Sequence, residues 1–197
     1  VWGDVSLFTL YATVNGLICA VAAFFSAALV KLCRGKRGAL LLSYGLSFIL
    51  NVILFFLSPE NASSTLVLAL LFGTGIFNGF CTALLYGMIG DTVEYGQWKT
   101  GVRADGLCSS GTSFMLKLGG AIAPTMLLAM LAANGYAEGA ATQTAGALST
   151  MNVVMNLVPA ILAAISFLLF VFYKLDNKLH AQIIQDLKDR GQYVVEE

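Results

Sequence analysis

The sequence is short of charge. Charged side chains make up 11% of its 197 residues, against about 25% in an ordinary soluble domain. Basic and acidic residues balance at eleven each, so there is no global bias toward nucleic acid. The four cysteines, none in a CxxC pair, argue against a disulfide or metal framework, and no cofactor is expected. The cysteines, Cys19, Cys33, Cys81 and Cys108, read as small buried hydrophobes. A membrane-embedded enzyme needs His, Cys or carboxylates clustered at membrane depth, and the long apolar runs contain no carboxylate. A channel's rings of polar residues are also missing. Val1–Ser6 lack the basic start of a secretory signal. The first residue is Val rather than Met, so the chain is expected to be part of a longer protein.

What the sequence has is apolar length. Hydrophobic residues make up 58% and the mean hydropathy is +0.80. A bilayer core needs about 20 apolar residues in helix, because backbone groups in lipid must be paired internally. Five runs qualify: Phe8–Val30, Gly38–Leu57, Thr65–Ile89, Leu107–Ala133 and Met151–Tyr173. The expected fold class is an all-α membrane bundle over 1–173, followed by an amphipathic tail over 174–197. In the tail, Asp176 is the expected N-cap and Gly191 the stop. Its apolar positions Leu179, Ile183, Ile184 and Leu187 suit the membrane surface or the protein's own cytoplasmic face. His180, in that tail, reads as a surface residue.

Charge orients the spans. The first connection carries Lys31, Arg34, Lys36 and Arg37; the third carries Lys99 and Arg103; the tail carries Lys174, Lys178, Lys188 and Arg190. The second and fourth connections carry no basic residue. Basic loops stay cytoplasmic, so the C-terminus is expected in the cytoplasm of a multi-pass protein of the cell membrane. A missing or invented span would scramble this alternation.

Lys117 is the one charge well inside a run. It lies roughly 15 Å from the cytoplasmic end at 1.5 Å per residue. A central lysine costs about 2.5–3.5 kcal/mol on insertion scales. Gly106, Ser110, Ser113, Lys117, Gly120 and Pro124 share one small, polar helix face, as if lining water, and Phe114, Leu116 and Leu118 face away. Lys117 therefore either handles substrate or ion, or forms a structural ion pair with a partner outside this chain. Asn15, Asn51, Asn78, Asn152 and Asn156 suit a pathway and interhelical hydrogen bonds equally. Gly75 and Gly79 form a GxxxG, which reads as helix packing. Pro124 and Pro159 are candidate kinks.

The connection from Gly90 to Gly106 mixes Asp91, Glu94, Lys99, Arg103 and Asp105 with Tyr95 and Trp98. Either it is an ordinary solvated loop or its charges pair with another bundle in one conformation only. The run Asp91-Thr-Val-Glu-Tyr-Gly-Gln-Trp-Lys-Thr-Gly-Val-Arg-Ala-Asp105, followed by Phe114-Met-Leu-Lys-Leu-Gly-Gly-Ala-Ile-Ala123, closely resembles the glycoside–pentoside–hexuronide cation symporters of the major facilitator superfamily. The likeness extends more weakly along the chain, including Tyr173, Leu175 and Asp176.

The resemblance implies two six-helix bundles with sugar bound between them near mid-membrane, these spans being the last five of twelve. It implies that Lys117 lies near both sugar and cation sites, and that Thr112, Ser113 and Thr82 lie on the sugar side. Asp91, Glu94, Tyr95 and Arg103 align with a cytoplasmic gate between bundles. The Na⁺ or H⁺ that drives uptake would be held mainly by carboxylates of the missing N-terminal bundle. Expected partners are thus a glycoside, the lipid bilayer and that bundle. Gln97 is neutral where some members carry Glu, which removes one gate pair. Thr82 replaces the Trp of melibiose permeases, which favours other glycosides or a uronide. The rival expectation is a membrane sugar sensor or scaffold of the same fold that does not transport.

Overall fold

The computed structural model describes residues 5–57, 63–137 and 143–192, and the described residues are helical with no strand. The expected connections at 58–62 and 138–142 and the last five residues lie outside them. The helices are α1 (Val5–Phe24), α2 (Ser26–Leu32), α3 (Lys36–Phe56), α4 (Ser64–Thr100), α5 (Asp105–Ala133), α6 (Ala145–Asn152), α7 (Val158–Phe172) and α8 (Asn177–Asp189). Val153–Leu157, between α6 and α7, forms a π-helical turn. Among the described residues, four helical stretches are long and apolar enough to cross a membrane, or five if the bent pair α1–α2 is one span.

Three features differ from the sequence expectations. The first run is not one straight rod: Phe25 leaves the helical conformation (φ −84°, ψ 3°) and the chain bends by 51°. No Pro or Gly marks that position, so hydropathy alone could not find it. The last run absorbs Pro159 through the π turn before it. Proline lacks an N–H and its ring presses on the carbonyl four residues back, and a widened turn relieves both. Pro124, by contrast, sits inside an unbroken α5. The expected loop from Gly90 is helical through Thr100 and ends only where Gly101 adopts a left-handed cap (φ 75°). Glycines 90 and 96 looked like loop residues. They are tolerated because the buried stripe of Leu84, Met88, Val93 and Gln97 continues along α4 and is covered.

That cover is α8. Asp176 caps it by accepting from the Leu179 N–H at 2.8 Å, and Gly191 (φ 67°) follows its end. Ile183 and Leu187 are fully buried. Trp98 Nε1 donates to Asp186 at 2.8 Å, and Gln97 Nε2 to the Gln192 carbonyl at 2.7 Å. The tail helix thus packs on the end of α4.

The α1–α4 contact is built on the GxxxG. Cys19 Sγ donates to the Gly75 carbonyl at 3.2 Å, and a Cβ on Gly79 would run into the Cys19 carbonyl oxygen. Helix α3 lies against both α4 and α7. Its Ala39 and Leu40 form a core with Cys81, Leu84 and Met88 of α4, flanked by Phe170 and Tyr173. Arg37 closes the end of α7: its Nε donates to the Phe170 carbonyl (3.1 Å) and its Nη2 to the Val171 carbonyl (2.5 Å). Terminal carbonyls have no helical partner and carry the negative end of the helix dipole, so a cation there stabilises. Arg37→Gln is expected to cost about 1.5–3 kcal/mol, the range for hydrogen bonds to charged groups, read as a lowered thermal unfolding temperature in detergent. An unchanged temperature would show that water replaces the guanidinium without loss.

Helix α5 is the exception to this packing. Only Leu131 is buried in its 29 residues. Its far end is tied to the bundle by the Thr144 hydroxyl, which donates to the Asn134 carbonyl at 3.0 Å.

Candidate functional site

Two regions gather the residues singled out from sequence. The first is the charged end of α4. Asp91 and Glu94 are three apart and share a helix face. Lys36, from the start of α3, donates to both Asp91 oxygens at 2.6 and 2.8 Å and to the Gly87 carbonyl at 3.1 Å. His180 Nε2 of α8 lies 2.5 Å from Glu94 Oε2 and 3.5 Å from Asp91 Oδ1. These groups are sheltered, with side-chain exposures of 14% for Asp91, 17% for Glu94 and 23% for His180, so their pairing is less screened than at an open surface. The histidine is not the free surface residue expected. The aromatic members continue the same face: Tyr95 tilts against Trp98 at 6.1 Å, and Lys99 sits 5.1 Å over the Tyr95 ring. Arg103 does not join this cluster through its described ion pair, which runs to Asp105 at 2.8 Å.

The second region is a groove of about 930 Å³ walled by α1, α3, α4 and the π turn with α7. That volume is ample for a small ligand. Asn51, Asn78, Thr82, Asn152 and Asn156 line it. The amides split between the two roles expected of them. Asn152 donates across to the Phe55 carbonyl at 3.0 Å, an interhelical bond, and Asn156 donates to Asn152 at 2.7 Å. Asn51 is turned back on Ser47. Asn15 lies instead at the α1–α4 contact, beside Gly75. Thr82 is exposed to the groove, with its hydroxyl donating to the Asn78 carbonyl at 2.9 Å.

Helix α5 carries the remaining candidates and lines none of this groove. Lys117 and Ser113 are exposed, and Lys117 has no hydrogen-bond or ion-pair partner among the described residues. Thr112 lies on a neighbouring face, half-buried, donating to the Cys108 carbonyl at 2.9 Å. The structure therefore brings Asp91, Glu94 and Tyr95 to one end of α4, but does not bring Thr82 together with Thr112, Ser113 and Lys117. Sequence reading missed two participants. Lys36 was noticed only as a topological charge, and the one signal for His180 was its being the sole histidine.

Helices long and apolar enough to cross a membrane, one of them carrying a lysine within its apolar run, define a multi-pass helical membrane protein. Residues 1–177 match the family model described as MFS/sugar transport protein, and the chain belongs to that family. It is similar to the isoprimeverose transporter of Lactiplantibacillus pentosus, at 32% identity over 79% of this chain and 32% of that protein. It is also similar to the glucuronide carrier protein homolog of Escherichia coli K12 (30% identity, 96% of this chain, 41% of that protein). A putative sulfoquinovose importer of the same organism matches at 30% over 80% of this chain and 33% of its own length. The chain thus spans between 32% and 41% of the length of these relatives.

Proposed function

We propose that the intact protein carrying this chain is a cation-coupled sugar symporter that works by alternating access, with a glycoside, pentoside or hexuronide as substrate. The observation that carries the reading is Lys117: an intramembrane ammonium, in a sugar-transport family chain, that meets no counter-charge among the described residues. Such a charge is costly in lipid, and carriers use it to face a pathway or a partner that changes. The names of the relatives, an isoprimeverose transporter and a glucuronide carrier homolog, favour a glycoside or uronide. Thr82, small and exposed in the groove, fits a site without a large aromatic platform.

In this reading α5 faces a second helical bundle, and Ser113, Thr112 and Lys117 meet sugar between the two. Lys117 exchanges partners as the bundles rock, linking sugar to a Na⁺ or H⁺ held by carboxylates of the other bundle. A ligand shifts a two-state carrier only through its different affinities for the states. The charged end of α4 is cytoplasmic, with the C-terminus, because the basic residues gather there. Asp91, Glu94, Tyr95 and Arg103 form the gate, pairing across bundles in the outward-open state and releasing inward.

Proteoliposomes holding the intact protein test this. Labelled glycosides are followed in counterflow, then under imposed Na⁺ or H⁺ gradients. Counterflow with uptake driven by one of the two gradients is the expected result. Measurable glycoside binding with no movement under any gradient would replace the symporter by a sensor.

A further inference from the structure

Helix α4 is longer than a membrane needs. Its 37 residues rise about 55 Å, against about 30 Å of hydrocarbon. The turns from Asp91 on follow its apolar run and carry all of its charges, so they stand beyond the lipid. There water competes for their backbone hydrogen bonds. By sequence these turns are weak helix formers. Thr92 and Val93 are β-branched, and Gly96 lowers the helical weight about fivefold against alanine. Such an end is held by packing rather than by propensity.

Helix α8 supplies that packing. Val93 and Gln97 of α4 are buried, and so are Ile183 and Leu187 of α8. The two helices are joined by the bonds from Trp98 to Asp186 (2.8 Å) and from Gln97 to the Gln192 carbonyl (2.7 Å). The end of α8 also caps α4. Arg190 Nη1 donates to the Trp98 carbonyl at 3.2 Å, in the last turn, where carbonyls lack helical partners and the dipole favours a cation. The start of α8 is anchored elsewhere. Asn177 Nδ2 donates at 3.0 Å to the carbonyl of Arg34, whose backbone is left-handed (φ 56°) in the turn between α2 and α3. Asp91 is held separately, by Lys36 of α3. What depends on α8 is therefore 93–100.

We infer that α8 is a conformational strap: 93–100 is helical while α8 is docked, and release of α8 unwinds it into the loop that its sequence favours. Glu94 and Tyr95 lie on these conditional turns, so the strap sets where they stand. Their part in a gate rests on the transport reading, whereas the coupling of α8 to α4 does not.

Backbone amide hydrogen exchange in the intact protein, without sugar, tests the strap. In the wild type, 93–100 and α8 are expected to open together, with one opening constant, apart from the rest of α4. Leu187→Asp puts a charge at a fully buried contact. It is expected to lower protection over 93–100 tenfold or more, as for loss of about one buried leucine, and to leave Leu84 and Met88 unchanged. Adding Gly96→Ala is expected to recover about fivefold, because it raises the helical weight and nothing lies within 4 Å of its Cβ. Unchanged protection in Leu187→Asp would overturn the strap, since that end would then be held by itself or by a second bundle. Failure of Gly96→Ala to recover any protection would overturn it as well, by making the loss a general loosening. So would a wild type in which α8 exchanges freely while 93–100 stays protected, a result that needs no variant to fold.

Discussion

Gly79→Leu is expected to separate α1 from α4 and to leave little folded protein. A side chain at this position meets backbone: its Cβ would press on the carbonyl oxygen and Cα of Cys19, and on the Ala22 Cβ at 3.0 Å. A flexible side chain could rotate away, but a helix backbone can yield only by moving the whole of α1 outward. That movement breaks the Cys19–Gly75 hydrogen bond and the stacking of Tyr11 on Phe72 at 5.9 Å. Overpacking usually costs about 1–3 kcal/mol, and a backbone obstacle places this case at or above the upper end. Gly75→Ala is expected to be milder, because its obstacle is the Asn15 side chain, which can turn. Gly96→Ala is the control: nothing lies within 4 Å of its Cβ, and removing a helical glycine stabilises by about 0.5–1 kcal/mol. The yield of monodisperse protein and its unfolding temperature in detergent measure all three. Wild-type behaviour of Gly79→Leu would mean that α1 does not seat on α4 through this face.

Lys117→Ala is expected to keep glycoside counterflow and lose gradient-driven accumulation. A tenfold cation gradient stores about 1.4 kcal/mol, so one-to-one coupling supports up to about tenfold accumulation, and uncoupling returns the ratio to one. Stability is expected to hold or rise. Lys117 makes no hydrogen bond or ion pair among the described residues, and alanine removes an insertion cost of about 2.5–3.5 kcal/mol. The two readings of this lysine thus predict opposite signs. A structural ion pair with another bundle would make Lys117→Ala unstable, since breaking a buried pair leaves an uncompensated charge. A stable, uncoupled variant identifies a coupling residue. A stable variant with wild-type accumulation removes Lys117 from the mechanism.

Hydropathy and local chemistry determined much of this protein without a structure. Apolar runs long enough for lipid, the cap at Asp176, the stop at Gly191 and the small faces of Gly75 and Gly79 are all written in contiguous residues, because lipid, capping and close approach act locally. The family too was legible, in the charged run from Asp91 and the lysine that follows it.

Other features had no local signal. The bend at Phe25, the continuation of α4 to Thr100 and the Arg37 cap on α7 depend on which helices meet. Glu94 and His180 are 86 residues apart, and their pairing cannot be read before α8 is placed. Tertiary structure alone decided these. The free energy of a sheltered charge is set by what surrounds it, and here those surroundings come from α3, α4 and α8 together.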